Sequence, residues 1–220
     1  MATIKGSGRA DVLRGTSNPD TILAGAGDDY VYGMPNDIKL DGGSGYDTLD
    51  LSGGTASLRY SKFGGELSYW PTFTTTVRVL NFERVVGSAY DDYLLGGSGA
   101  ETLVGNGGKD TFEGGSGNDT FVGDFLSGTT NAGAAGADVF QFSSNDSGND
   151  RILDFQYGTD HLMFYGVPQP TRITSTSDGS DLVVYYGSSS SVTLLGLGGL
   201  AANAYAGLFT YENGGIVVPH

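Results

Sequence analysis

Short apolar triplets alternate with glycine-rich polar loops along this chain, and the alternation repeats every nine residues. Between Gly87 and Val122, four consecutive segments read GSAYDDYLL, GGSGAETLV, GNGGKDTFE and GGSGNDTFV. Glycine is the first residue of every segment. The sixth residue is an acid (Asp92, Glu101, Asp110, Asp119) and the eighth is apolar (Leu94, Leu103, Phe112, Phe121). A fixed period of this kind predicts a repeat architecture.

Each nine-residue unit predicts a turn followed by a very short strand. The first six residues are mostly Gly, Ser, Asn and Asp, which favour turns, and the glycines allow a tightly curled backbone whose carbonyl oxygens point inward. The last three residues are β-branched or apolar, as in Thr120-Phe121-Val122, and the middle one should face the core. Two units then complete one revolution of a flattened parallel coil. The expected fold class is all-β.

Stacked coils bring the acids of successive turns close together. Turns about eighteen residues apart pile carboxylate on carboxylate at the usual strand spacing of roughly 4.8 Å, where like charges repel unless a cation lies between them. Ca²⁺ accepts carboxylate and carbonyl oxygens in flexible geometry, whereas Mg²⁺ demands a smaller octahedron. Zn²⁺ prefers Cys or His, and the chain has no Cys and only two His. The sequence therefore predicts several bound calcium ions.

The same nine-residue frame runs from Gly6 to Asp50 without an insertion. The eighth position stays apolar in all five units (Leu13, Ile22, Val31, Leu40, Leu49). The sixth position carries the acids Asp11, Asp20, Asp29 and Asp47, but Ile38 in the fourth unit. We therefore expect the edge that joins the turns of Asp20 and Ile38 to lack a full site. The opposite edge, with its three acids, should hold two ions.

Composition restricts the function. The formal net charge is −14, and only five of the 25 acids are Glu, so the charge lies on Asp, the shorter side chain suited to turns and metal loops. A strongly acidic surface repels phosphate, which argues against a nucleic-acid partner. No apolar run is long enough for a membrane span, and the N-terminus lacks the apolar run of a conventional signal peptide. No nucleophile elbow, P-loop or zinc-protease motif occurs, so we expect no catalytic residues, and His161 is expected to be structural.

Residues 51–86 break the pattern, because turn glycines and acids largely disappear and apolar residues alternate in Thr76–Phe82. Two interpretations remain open: coils that continue without metal, or an inserted β-hairpin or sheet. We favour β-structure continuous with the coils. The segment also holds the one aromatic cluster outside the regular pattern (Tyr69, Trp70, Pro71, Phe73), which predicts either a packed hairpin or a sugar-binding surface.

The units GGSGYDTLD (Gly42–Asp50) and GGSGNDTFV (Gly114–Val122) resemble the RTX, or haemolysin-type, calcium-binding repeat. The resemblance implies a parallel β-roll, which is a right-handed β-solenoid with calcium in its turns. The loop glycines are then candidate carbonyl ligands beside the sixth-position acids. These glycines are Gly25, Gly27, Gly43, Gly45, Gly97, Gly99, Gly115 and Gly117.

The C-terminal part resembles the segment that closes the roll in RTX proteases and in the R-modules of alginate epimerases, through Asp150-x-Ile-x-Asp154-Phe-x-x-Gly-x-Asp160. The resemblance makes Asp138, Asp150, Asp154 and Asp160 candidate ligands of terminal calcium sites. Farther on, LVVYYG and VTLLGL predict two capping strands, and LAANAYAGLFTY predicts a short helix. The family's uncleaved C-terminal export signal would overlap this cap, with Glu212 and Ile216–Val218 a loose match to its ending.

These observations predict four segments: a first repeat block at 1–50, a joining β-segment at 51–86, a second repeat block at 87–141, and a cap with a type I secretion signal at 142–220. The expected function is that of an extracellular, non-enzymatic roll that folds on calcium after export by a type I transporter and acts as a scaffold or adhesin. The alternative is an accessory module of a larger polysaccharide-active or hydrolytic enzyme, with polysaccharide as a further ligand.

Overall fold

The structure is a computed structural model that describes residues 1–69, 76–124, 136–167, 172–186, 189–200 and 208–211. This part of the chain is built from β-strands and turns and contains no α-helix. None of it therefore forms a helix long and apolar enough to cross a membrane. The all-β expectation is confirmed.

The strands are short, and most have three to six residues. The first repeat block forms β1 (Thr3–Lys5), β2 (Val12–Arg14), β3 (Thr21–Ala26), β4 (Tyr30–Tyr32), β5 (Lys39–Ser44) and β6 (Thr48–Asp50). The joining segment forms β7 (Leu58–Ser61), β8 (Glu66–Tyr69), β9 (Thr76–Leu80) and β10 (Arg84–Val86). The second block forms β11 (Tyr93–Leu95), β12 (Thr102–Val104), β13 (Thr111–Glu113), β14 (Thr120–Val122) and β15 (Val139–Ser143). The C-terminal part forms β16 (Asn149–Ile152), β17 (His161–Tyr165), β18 (Arg172–Ser175), β19 (Leu182–Tyr186), β20 (Ser190–Leu194) and β21 (Phe209–Tyr211).

Successive strands alternate between two sheets, as a flattened coil requires. The first sheet has the order β1-β3-β5-β9-β8-β7-β11-β13-β15-β17-β21, and the second has the order β18-β19-β20-β16-β14-β12-β10-β6-β4-β2. Within the repeat blocks the pairs are parallel and offset by two units, so that Leu103 lies beside Phe121 and Leu94 lies beside Phe112. This register confirms one revolution per two units.

The eighth-position side chains form the core between the sheets. They are fully buried from Ile22 through Leu49 and from Leu94 through Phe121, and the ring of Phe112 stacks on that of Phe140 with centroids 5.0 Å apart. Leu13 is only partly buried because its coil lies at the open end of the stack. Burial of the predicted inward positions is confirmed, and Phe140 and Ile152 extend the row into the C-terminal part.

The joining segment departs from the coil. Strands β7, β8 and β9 form an antiparallel meander inside the first sheet, and its outer strands pair in parallel with β11 and β5. The idea that coils continue here is wrong, although the β-structure is continuous with the sheet. In the second sheet, β10 pairs directly with β6 and β12. The first sheet therefore holds the three strands β7, β8 and β9 at the level where the second sheet holds only β10.

The C-terminal part closes the second sheet with antiparallel strands. Strand β20 lies parallel to β16, β19 pairs antiparallel with β20, and β18 pairs antiparallel with β19. The two predicted capping strands are β19 and β20. The expected helix is wrong at its described end, because Phe209–Tyr211 form β21, which pairs in parallel with β17 at the end of the first sheet. The rest of that helix, the aromatic cluster beyond Tyr69 and the export-signal tail lie outside the described residues.

Candidate calcium sites

The turns form two edges, and the stacking brings one carboxylate per turn to each. Edge one comprises the turns that lead into strands of the second sheet. Edge two comprises the turns that lead into strands of the first sheet. Edge one carries Asp11, Asp29, Asp47, Glu83, Glu101, Asp119 and Asp150. Edge two carries Asp20, Asp37, Asp92, Asp110, Asp138 and Asp160. Nearly all of these side chains are buried, and the exceptions are Asp11 and Glu83.

One oxygen of most of these carboxylates belongs to a hydrogen-bonded ladder. The main-chain N–H of one sixth-position residue donates to a carboxylate oxygen in the following turn of the same edge. Asp92 N lies 2.8 Å from Asp110 Oδ1, Asp110 N lies 2.9 Å from Asp138 Oδ1, and Glu101 N lies 2.8 Å from Asp119 Oδ1. The ladder extends from the first repeat block into the joining segment, since Asp47 N donates to Glu83 Oε2 at 3.0 Å. It fixes each acid against its neighbour.

The second oxygen of several carboxylates is buried and has no hydrogen-bond partner. These oxygens are the Oδ2 atoms of Asp29, Asp47, Asp110, Asp119 and Asp138. A buried, unpaired carboxylate oxygen carries the full penalty of desolvation. Burial, followed by neighbouring acids, accordingly raises the pKa of Asp110 to about 9 and that of Asp138 to about 7. A cation against these oxygens would remove the penalty.

The residue at the second position of a turn determines whether the sixth-position carboxylate already accepts hydrogen bonds from its own turn. Where it is Ser or Thr, its main-chain N–H and its hydroxyl donate to the acid four residues later, as Thr16 does to Asp20 Oδ2 at 2.7 and 2.6 Å. Ser7 and Ser88 do the same for Asp11 and Asp92. The Thr16 hydroxyl lowers the pKa of Asp20. All three turns lie at the start of a repeat block.

Where the second position is glycine, the turn packs more tightly on its neighbour. Gly43 and Gly45 have φ of 99° and 144°, and Gly115 and Gly117 have φ of 89° and 136°. A Cβ on any of the four would collide with the carbonyl oxygen of the matching glycine one turn earlier. These turns need glycine both for the positive φ and for the close approach of carbonyl oxygens.

Gly117→Ala tests this requirement. We expect it to lower the free energy of unfolding by about 2 kcal/mol, because Ala must adopt a positive φ against the Gly99 carbonyl. Denaturant unfolding in excess calcium measures the change. Gly53→Ala is the matched control, since a Cβ at Gly53 meets no atom within 4 Å, and it should stay within about 0.5 kcal/mol. Equal losses in both variants would contradict the argument.

The donor set fits a hard, oxygen-seeking cation. The buried unpaired atoms are carboxylate oxygens, and the neighbouring close contacts are main-chain carbonyls. Among the described residues, no group of three or more acidic, His or Cys side chains converges as a metal cluster. A site between two turns would therefore combine one or two carboxylates with glycine carbonyls, which suits the flexible oxygen coordination of Ca²⁺.

The structure also places acids that counting by nines missed. Asp37, beside the expected Ile38, is buried and accepts hydrogen bonds from Met34 N at 2.9 Å and from Asp20 N at 3.3 Å. Asp37 thus supplies an acid in the turn whose sixth position is Ile38, because this turn is one residue shorter and its fifth residue takes the place of the sixth. Glu83 follows a turn that lacks the glycine pattern of the repeats. Only its position just before β10 could have identified it as an edge acid.

The terminal acids meet at the level of β15 and β17. Asp138 N donates to Asp160 Oδ1 at 3.1 Å, and Asp154 accepts from Gly123 N at 2.8 Å. Asp124, which sequence reasoning missed, is buried and accepts from the Gln156 amide at 2.5 Å. Asp150 belongs to edge one and accepts from Asp119 N at 2.9 Å. The predicted terminal acids thus divide between the two edges.

Comparison with known proteins identifies the repeats. The family model of the RTX calcium-binding nonapeptide repeat, in four copies, matches residues 5–35, 82–111 and 95–127. Residues 5–35 and 82–127 are therefore RTX calcium-binding repeats. These repeats imply that the chain binds Ca²⁺. The unit Gly42–Asp50 lies outside the matched residues, but its strand β6 pairs in register with β4 of the first matched segment.

Solved structures similar to this chain include a lipase and a subunit of an epimerase. One is the extracellular lipase LipA from Serratia marcescens, at 19% identity and a TM-score of 0.31, with 92% of this chain and 38% of the lipase chain covered. This chain thus spans less than half of the lipase chain. Another is the AlgE6R3 subunit of the Azotobacter vinelandii mannuronan C5-epimerase, at 22% identity and a TM-score of 0.23, covering 61% of this chain and 89% of that one. No curated protein matches.

Proposed function

We propose that this chain is a calcium-dependent folding module whose two edges bind ions between successive turns. The observation that carries the proposal is the row of buried Oδ2 atoms without a hydrogen-bond partner, each beside a ladder that already occupies Oδ1. Stacking the coils forces these acids together, and a divalent cation is the partner that their charge and chemistry call for.

The sixth-position aspartates are the proposed carboxylate ligands. Those with an unpaired oxygen (Asp29, Asp47, Asp110, Asp119 and Asp138) are the strongest candidates. Carbonyls of Gly25, Gly27, Gly43, Gly45, Gly115 and Gly117 would complete the coordination. Asp11, Asp20 and Asp92 would bind through one oxygen at most, because Ser or Thr already caps the other. We add Asp37 and Asp124 to the proposed set.

Calcium binding then becomes folding free energy, because the sites exist only in the folded roll. At ten times the dissociation constant, each site adds about 1.4 kcal/mol, so several sites decide the balance. Extracellular calcium modules have dissociation constants of about 10⁻⁴ to 10⁻³ M, far above cytosolic free calcium. The proposed consequence is a chain that stays unfolded inside the cell, passes a type I transporter, and folds outside.

Calcium binding by the purified chain is the direct test. Native mass spectrometry in millimolar Ca²⁺ should find several ions retained per folded chain, and the same concentration of Mg²⁺ should leave none bound. The contrast follows from the flexible, carbonyl-rich coordination available here. A chain that retained no calcium, or that retained magnesium equally well, would contradict the proposal.

The role of the folded roll is a second level of the proposal. We favour a secreted or surface scaffold or adhesin without catalysis of its own. The alternative is an accessory module of a larger polysaccharide-active or hydrolytic enzyme. A catalytic domain in the same reading frame would favour the module, whereas a neighbouring transporter gene would favour the scaffold.

A further inference from the structure

One turn of edge one has a different partner for its acid. Turn 96–101 reads GGSGAE, which matches the calcium-type turns except that Glu replaces Asp at the sixth position. Unlike Gly115 and Gly117, its glycines Gly97 and Gly99 do not have positive φ. A Cβ on Gly97 would lie 3.4 Å from Cγ and Cδ of Lys62, so the lysine stem covers the turn.

Lys62 reaches this turn from the meander. It follows β7 directly, and its main-chain N donates to Leu95 O at 3.0 Å, which fixes it beside the start of the turn. Its Nζ lies 2.9 Å from Glu101 Oε1, an ion pair whose geometry falls short of a hydrogen bond, and 3.7 Å from Glu83 Oε1. The Glu101 side chain is 1% exposed, whereas that of Lys62 is 25% exposed.

Glu83 and Glu101 belong to consecutive turns, because β10 pairs with β12 in register. Each uses its other oxygen as an acceptor of a main-chain N–H: Glu83 Oε2 accepts from Asp47 N, and Glu101 Oε2 accepts from Gly97 N, both at 3.0 Å. The oxygens that face the Lys62 ammonium are the ones that main-chain amides leave open, as are the Oδ2 atoms of Asp110 and Asp119. The ammonium lies where two stacked acids need a positive charge.

We propose that Lys62 is an internal cation that takes the place of a calcium ion between the turns of Glu83 and Glu101. The first sheet holds two extra strands at this level, and the turn after β7 places a tethered positive charge against edge one. The longer Glu side chains reach this charge. The two repeat blocks are therefore joined by an ion pair, while calcium serves the turns on either side. This inference rests on the proposed function.

A double-mutant cycle in the full chain tests the proposal. In excess calcium, Lys62→Met should increase the unfolding constant at least about tenfold, because it leaves a buried carboxylate unpaired. Adding Glu101→Gln should restore the constant to within about threefold of wild type, since the charge that needed Lys62 is gone. Denaturant unfolding followed by circular dichroism measures all variants. Lys39→Met, which removes the more exposed Lys39–Asp41 ion pair, is the control and should change little.

The outcomes separate the two proposals. If the wild-type chain folds with calcium but Lys62→Met behaves like Lys39→Met, or its defect is not relieved by Glu101→Gln, the lysine proposal fails alone. If calcium has no effect on wild type, both fail. A crystal of the wild-type chain in calcium provides an independent readout: an ion within about 2.6 Å of Glu101 Oε1 would overturn the lysine proposal, and none is expected.

Discussion

In EGTA, the purified chain should lose its β-rich circular dichroism spectrum, and millimolar calcium should restore it. The cause is the charge that folding brings together. Without a cation, the carboxylates of Asp29, Asp47, Asp110, Asp119 and Asp138 each bury an oxygen that has no partner. The chain also carries 38 glycines, which raise the entropy of the unfolded state. Each site contributes about 1.4 kcal/mol at ten times the dissociation constant. With several sites, the folding free energy lost on calcium removal should exceed the usual stability of a domain.

The measurement is a calcium titration followed by circular dichroism, with magnesium and potassium chloride at matched ionic strength as controls. The controls matter because any salt screens the repulsion among 25 acids. The transition should be steep, since each bound ion orders two turns and so favours the next site. A β-rich spectrum unaffected by chelation would contradict the folding proposal, and so would equal recovery in potassium chloride.

Asp110→Asn should have opposite effects with and without calcium. Asn keeps an oxygen to accept from Asp92 N, so the ladder can survive, but the charge is lost. In calcium, the free energy of unfolding of the variant should fall by about 3 kcal/mol. This is the contribution of two bound ions when calcium is present at ten times their dissociation constant. In EGTA, the variant should be more stable than wild type. Burial raises the pKa of Asp110 to about 9, so the ionised form opposes folding from about pH 4 upward, and increasingly so until about pH 9.

Two unfolding experiments at pH 7 measure the sign change. Denaturant unfolding in calcium measures the stability that the variant loses. In EGTA, an excluded osmolyte induces folding, because osmolytes favour the compact state, and this measures the stability that the variant gains. Glu66→Gln is the matched control, since it removes one negative charge from an exposed side chain of β8. If Asp110→Asn destabilised the chain equally in both conditions, the carboxylate would be structural only.

Much of the architecture followed from the period alone. Counting by nines placed the strands at Thr102–Val104, Thr111–Glu113 and Thr120–Val122, and the structure has them there. It also predicted the offset that sets Leu103 beside Phe121. These features are local, because glycine and acid positions fix the turn and the apolar residue fixes the inward face. Recognition of the calcium repeat followed from the same residues.

Other features could not be read from the period, for physical reasons. Alternation in Thr76–Phe82 predicts a strand, but it does not tell whether its neighbour runs parallel or antiparallel. A strict nine-residue count misses Asp37, because its turn is one residue shorter. Only the hydrogen bond from Met34 N reveals the shorter turn. Lys62 meets Glu101 across 39 residues through the pairing of β7 with β11, which no local pattern encodes.

The amide-to-acid ladder gives the stack a direction. Most of the sixth-position amides donate to an acid that lies later in the chain, as Asp92 N does to Asp110 and Asp110 N to Asp138. A coil at the N-terminal boundary exposes a carboxylate, which water solvates readily. A coil at the C-terminal boundary exposes a donor whose acceptor is missing. The ordered region should therefore grow in one direction, because a coil is stabilised only after its C-terminal neighbour has formed.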